Sequence, residues 1–362
     1  MRRTGYFALL AAWIALGGCS SSGSTTDSSY TTGSIYETSP PTAVSTIAGT
    51  PGVIGAADGT GPSAQFGQPT GVALSPDGTT LYIADFLSCT IRKMVLSTGA
   101  VTTLAGTAGY FGTADGIGSA ARFFGPSFLA TDGVNLFVTD AYNNSVRKIV
   151  LATAEVTTLA GSTAGEPGAA DGTGTAARFN GPQGISITPD GTTLYVADYF
   201  NNAIRKIVVS TATVTTMATG TALNYPAGIV CDGTGTNLYL AGFVGNVVEQ
   251  VVISSGAVSI LAGSTTSYGS ADGTGSAATF FNPNGITLLG NSLYVAETGN
   301  SVVRKVVIAT GAVTTVAGLA AVPGSANGTG ANAQFFLPMG IATDGANLYV
   351  GDAYNRIIRE IQ

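Results

Sequence analysis

The residues whose types and spacing suggest chemistry are acids and arginines at a fixed interval. An acid is followed seven residues later by a base at Asp85/Arg92, Asp140/Arg147, Asp198/Arg205, Glu297/Arg304 and Asp352/Arg359. At the corresponding place in a fourth copy stand Gly242 and Glu249. A second acid, in the pattern Ala-Asp-Gly-x-Gly, precedes a Phe by eight residues at Asp58/Phe66, Asp115/Phe123, Asp171/Phe179 and Asp272/Phe280. The last copy has Asn327/Phe335, and the Gly242/Glu249 copy lacks this stretch. Two chemistries suit such acids. A planar guanidinium with several donors can bridge two carboxylates and so pin a loop. Alternatively, the Asp-Gly-x-Gly loops hold Ca²⁺, but that ion takes roughly six to eight oxygens and each loop offers one carboxylate. The loop acid, the strand-end acid and the arginine are lost together in one copy. The expectation is therefore five structural ion pairs and no metal.

Catalysis has little to work with. The chain has no His, so neither a Ser-His-Asp nor a Cys-His arrangement is available, nor an imidazole-bound zinc. Each copy opens on Pro-x-Gly, with Thr70, Ser127, Gln183, Ala227, Asn284 and Met339 at x. None is charged. Gln183 and Asn284 suit hydrogen bonds to a neutral ligand rather than metal ligation or proton transfer. The second copy puts Phe128 where Gly is expected. A pI of 4.6, a net charge of −6 and Arg-Lys pairs isolated one per copy speak against nucleic acid. Cys89 and Cys231 lie in different copies and are expected as free thiols.

Just after the strand-end acids come aromatic residues: Phe86, Tyr142, Tyr199, Phe200, Phe243 and Tyr354. Tyr110, Phe111 and Tyr268 lie in the loops leading into the copies. Two readings fit. The rings form a face for a carbohydrate or extended peptide, or they seal joints between neighbouring units.

What positions these residues is a repeat. The opening prolines are Pro69, Pro126, Pro182, Pro226, Pro283 and Pro338, evenly stepped except for one shortened copy of 44 residues, from Pro182 to Pro226. Each copy reads as a short strand, an Asp-Gly-type turn, Leu-Tyr-Val-Ala-Asp, a polar loop, Ile-Arg-Lys-Ile-Val, a turn, and Val-Thr-Thr-Leu-Ala. That is four antiparallel strands, or one propeller blade. Six copies predict an all-β, six-bladed β-propeller of four-stranded antiparallel blades over residues 44–362. The chain stops after the third strand of the sixth copy, so the N-terminal strand at residues 44–49 is expected to complete the last blade and remove both open edges.

The motif Pro-x-Gly-Ile … Leu-Tyr-Val-Ala-Asp-x-x-Asn-x-x-Ile-Arg-Lys resembles the NHL repeat family. The resemblance covers residues 44–362 and implies a six-bladed propeller. It implies no single function, since members bind peptides, RNA or proteins, act as extracellular sensors, or are lyases. Its lyase members, like the lactonase-type propellers, use metals held by His or central carboxylates.

The first eighteen residues read as a targeting segment: Arg2 and Arg3, then the apolar run Tyr6–Leu16, too short to span a bilayer. Leu16-Gly17-Gly18-Cys19 resembles a bacterial lipobox, with Cys19 as the lipidated residue, and Ser20 rather than Asp favours the outer membrane. Cleavage there leaves 14 − 2 = 12 basic residues against 20 acidic, a charge of −8. Residues 19–43 read as lipidated Cys and flexible tether, with an r.m.s. span of about 25–30 Å. The expected protein is a monomeric, non-enzymatic binding or scaffold lipoprotein of the bacterial envelope, held to the membrane by lipid only, with a protein or glycan ligand and no cofactor. A propeller enzyme of lyase or lactonase type and a passive structural envelope protein are the alternatives.

Overall fold

The computed structural model describes residues 42–220 and 223–362; the leader, Cys19 and the tether up to residue 41 lie outside them. The described chain is all-β apart from single 3₁₀ turns, and none of its helices is long and apolar enough to cross a membrane.

Six antiparallel sheets stand in sequence order around an axis. In the third blade the strands are Pro182–Ile187, Thr193–Asp198, Ala203–Val208 and Thr213–Thr219, innermost first. Burial sets the packing: in Thr193–Asp198 the residues Leu194 to Asp198 are all buried, because a blade between two others has two covered faces. The core is therefore six interfaces between neighbouring blades. One joins Tyr82, Ala84 and Ile91 of the first blade to Phe123, Leu129 and Val138 of the second.

Ring closure is by the N-terminal strand. Ala43–Ala48 pairs with the last strand, Ile357–Ile361, through Val44↔Ile361 and Ser45↔Glu360. It begins one residue before the expected position.

The four expected strands are present in every blade, and five blades add to them. Five blades carry a fifth, two-residue strand on the outer edge, such as Gly172–Thr173 against Val214 and Thr213. It comes from the Asp-Gly-x-Gly loop leading into the same blade, so that loop doubles as edge cover. Blade four, with its shortened loop, has four strands and leaves Ala257–Gly263 as its outer edge.

Pro-x-Gly shows why its Gly is needed. A Cβ on Gly228 would overlap the carbonyl oxygen of Asn284 on the next blade's inner strand, so only Gly allows that approach. Blade two, with Phe128 there, uses another joint. Thr139 replaces the usual Ala in the second strand, and its hydroxyl donates to Gln183 O at 2.6 Å while accepting the Phe128 amide at 3.0 Å.

Candidate functional site

Three chain segments meet on one face of five of the six blades: the start of the first strand, the end of the second, and the loop leading in. The residue at their meeting point is the arginine of the third strand. Arg205 is buried. Its Nη1 bonds Asp198 at 2.9 Å and the Arg178 carbonyl at 2.7 Å; its Nη2 bonds Asp171 at 2.8 Å and the Ala170 carbonyl at 3.0 Å. The guanidinium lies 5.1 Å from the ring of buried Phe179, an added cation–π contact. Arg147 repeats this with Asp140 at 2.9 Å and Asp115 at 2.7 Å, and Arg304 with Glu297 at 2.8 Å and Asp272 at 2.9 Å. Arg92 holds Asp58 at 2.8 Å and stands 3.6 Å from Asp85, which is also engaged by the Gly67 and Gln68 amides. Arg359 holds Asp352 at 3.1 Å and Asn327 at 3.0 Å.

Two further partners belong to this assembly, and the acid–base spacing does not mark them. Thr216 donates to Asp171 at 2.8 Å, as Thr103, Thr158 and Thr315 do to their loop acids. Asn201 ties Asp198 to the Gly168 carbonyl, and Asn143, Asn300 and Asn355 do the same in their blades. Their signal is present as Val-Thr-Thr and Asp-x-x-Asn, but a residue pattern does not say which way a side chain points.

The electrostatics follow from burial. Asp171 is held below the usual carboxylate range: burial pushes it up, and Thr216 and Arg205 outweigh that. Burial raises the second-strand acids despite their arginines, Asp140 and Asp352 to about 6 and Glu297 to about 7. These carboxyls are consumed as acceptors for amides, Asn and Arg.

Blade four replaces the whole assembly. Glu249 occupies the arginine position with its side chain buried; Oε1 accepts from Asn224 Nδ2 at 2.7 Å and Oε2 has no partner. Ile260 stands where the other blades have the Thr, and Leu223 stands where they have the Phe plug. Burial pushes the Glu249 carboxyl up to about 7.

Around the axis, Thr70, Ser127, Ala227 and Asn284 are buried and Gln183 and Met339 partly so. Ser127 donates to Gln183 Oε1 at 2.9 Å. Asn284 Oδ1 is buried without a partner.

The aromatic residues fall into separate groups rather than a continuous circle. Phe86, Phe124 and Tyr142 form one, with Tyr142 centred 5.2 Å from Phe86 and 4.9 Å from Phe124; Phe111 stacks on Phe124 at 4.8 Å. Tyr199 anchors another, 5.0 Å from Phe200, 5.8 Å from Tyr225 and 6.1 Å from Phe243. Tyr354 pairs with Phe336 at 5.3 Å, and Tyr268 with Phe281 at 5.1 Å. Phe200 is exposed, while Phe86, Tyr142, Tyr199, Phe243 and Tyr354 are half-buried. Burial pushes the Tyr199 phenol up to about 12. Phe124, Phe281, Phe336 and Tyr225 join these groups although they precede the opening Pro of a copy, where the spacing from the strand-end acid does not reach them. Cys89 and Cys231 are buried free thiols.

No family model matches the chain. Among curated proteins it is 39% identical over 151 residues to Protein SUPPRESSOR OF QUENCHING 1, chloroplastic, of Arabidopsis thaliana, covering 39% of this chain and 14% of that protein. It is 35% identical over 161 residues to NHL repeat-containing protein 2 of Bos taurus, covering 42% of this chain and 22% of that one. The chain thus matches less than a quarter of these relatives' length. Among solved structures, a structural genomics protein of unknown function from Bacteroides thetaiotaomicron superposes with a TM-score of 0.70 at 22% identity, over 88% of this chain and 75% of that one. An auxiliary nutrient binding protein from Bacteroides ovatus gives 0.69 at 19% identity, over 90% and 77%. Virginiamycin B lyase from Staphylococcus aureus gives 0.51 at 15%, over 82% and 94%. The chain is a six-bladed β-propeller whose curated relatives include NHL repeat-containing proteins, and the structural likenesses bear on the fold alone.

Proposed function

We propose that this propeller is a non-enzymatic binding protein of the bacterial envelope that presents its loop-rich face to a glycan or protein ligand. The observation that carries the reading is the division of labour on that face. The acids and their arginines are consumed in holding loops to blades, while Phe86, Tyr142, Tyr199, Phe200, Phe243 and Tyr354 remain partly open in groups. Half-open aromatic rings suit sugar faces and extended peptides. The auxiliary nutrient binding proteins of the same fold are consistent with such a role. Nothing observed favours the lyase reading, and a form of the Staphylococcus lyase in which a histidine is replaced by alanine is described as catalytically inactive, whereas this chain has no His.

The envelope location rests on Leu16-Gly17-Gly18-Cys19, with lipid on Cys19 and the chain up to residue 43 as the tether. Radiolabelled palmitate should enter the wild type and not Cys19→Ala; label in both removes the anchor from the proposal. A glycan and peptide array tests the binding. Its hits should weaken at least tenfold, about the loss of one buried aromatic contact at each group, in the double variant Tyr142→Ala, Tyr199→Ala. Unchanged hits sink the aromatic face as the site.

A further inference from the structure

The joint between blades six and one departs from four of the others in a way the scaffold does not use. In the turn between second and third strands each blade has a residue in the left-handed conformation: Cys89 (φ 56), Asn144 (φ 52), Asn202 (φ 46), Asn246 (φ 55), Ser301 (φ 57) and Arg356 (φ 65). In the middle of the chain this residue latches one blade to the next. Asn144 Oδ1 accepts the Gly181 amide at 2.8 Å, Asn202 Oδ1 that of Tyr225 at 2.8 Å, Asn246 Oδ1 that of Asn282 at 2.9 Å, and Ser301 Oγ that of Leu337 at 3.4 Å.

Where blade six meets blade one, the residue is Arg356, which can accept nothing. The amide it would serve, on Gln68, goes instead to Asp85 Oδ1 at 2.7 Å. The joint therefore closes without Arg356. A long charged side chain at positive φ is also an unfavourable choice, since Asn and Gly fit that region better.

Its guanidinium is half-buried and lies 5.4 Å from the Tyr354 ring, with one hydrogen bond, to the Ala353 carbonyl at 3.3 Å. Among the described residues no carboxylate stands within ion-pair distance, in contrast to the five blade arginines and Arg178, which pair with acids. Asp85, the acid whose charge it feels, is occupied by two amides and Arg92. Burial lowers the guanidinium's pKa, partly offset by Tyr354 and Asp85, and it stays charged at neutral pH.

The surroundings are aromatic. Tyr354 packs on Phe336, and the Tyr142 phenol of blade two is raised by burial and by the phenol of Tyr354 of blade six. In a separate group, Phe86 of blade one packs on Tyr142 of blade two. A cation without a carboxylate partner thus sits against the Tyr354 ring on the loop-rich face.

We propose that Arg356 and Tyr354 form a subsite for a carboxylate-bearing saccharide, the carboxylate on the guanidinium and the sugar ring beside the Tyr354 ring. This rests on the glycan reading of the loop face. One planar guanidinium, oriented by the Tyr354 ring, matches one carboxylate bidentately. A phosphate would call for more cations or a nest of amides.

The test titrates the full chain calorimetrically, at low salt, with trigalacturonic acid and with neutral galactotriose as its uncharged counterpart. The acid should bind about ten- to a hundredfold more tightly, the range of one charged bidentate contact. Arg356→Asn should erase that preference. Its Tm should match or exceed the wild type's, because Asn suits positive φ and restores the latch residue of the other blades. Arg356→Lys should keep part of the preference. Equal binding of the two sugars, an unchanged preference in Arg356→Asn, or binding of a Glu-rich peptide but neither sugar each overturns the subsite. In the first two cases glycan binding by the face survives; loss of all glycan binding removes the wider reading as well.

Discussion

Glu249 offers the sharpest check on how the scaffold handles charge. Its carboxyl is buried with no arginine, one hydrogen bond from Asn224 and one oxygen unpartnered. The flanking strands of blade four, Pro226–Cys231, Asn237–Gly242 and Ala257–Gly263, offer only Cys231 and Tyr239 as ionisable groups. Burial raises its pKa from 4.5 to about 7. Between those two values the folded state holds a proton that the unfolded state has released. Stability from this group is complete below about pH 4.5 and is lost as pH rises toward and through 7. Integrating between pH 5 and pH 8 gives a loss of about 2–3 kcal/mol. Glu249→Gln keeps an acceptor for Asn224 and cannot ionise. Urea unfolding of both proteins at pH 5 and pH 8 should show the wild type losing about 2–3 kcal/mol more than the variant, the paired acids of the other blades cancelling in the comparison. Equal losses would mean that Glu249 is solvated or paired when ionised, and would refute the reasoning.

Other consequences can be measured directly. Arg205→Ala leaves Asp198 buried without its cation and should cost about 3–5 kcal/mol, with faster amide exchange around Asp171. Unchanged exchange there would show that the arginine does not hold the loop. The outward-facing amides of Ala257–Gly263, bare of a fifth strand, should exchange faster than those of Ala100–Gly106 or Thr213–Thr219; equal protection would mean that something else covers this edge. Thr139→Ala orphans the buried Phe128 amide and should lower stability by about 1–3 kcal/mol. The double variant Thr139→Ala, Phe128→Gly should recover part of that by restoring the joint of the other blades.

The fold was legible because it is repeated. Spacing, strand chemistry and the odd strand at each end set blade number and closure, and internal comparison tied Asp171, Asp198 and Arg205 together without any distance. The fifth strand was not legible: two residues such as Gly172-Thr173 carry no hydrophobic alternation, and only the loop's path brings them beside Val214. Nor was the grouping of the rings. Phe124 meets Tyr142 edge-on through the fold, while in sequence it sits beside the plug Phe123. The Arg356 turn was hidden for another reason. Its counterparts Asn144, Asn202 and Asn246 look like ordinary loop residues until their bonds to the following blade are seen.

Repetition also supplies a control within one molecule. Where a copy departs from the common pattern, the structure shows whether a compensating change accompanies the departure. Phe128 is met by Thr139, which fills the joint the missing Gly would have closed. In blade four the deleted loop acid travels with Arg-to-Glu, Asp-to-Gly, Thr-to-Ile and Phe-to-Leu changes at positions 249, 242, 260 and 223, so an entire charge assembly is dismantled together. A change made for packing should carry such a partner, because an uncompensated buried group costs stability. Arg356 has none: its joint is closed by Asp85, its conformation is unfavourable for its type, and its charge is unmatched. Among the described residues its guanidinium meets the Tyr354 ring and the Ala353 carbonyl, and the proposed subsite would give its charge a role.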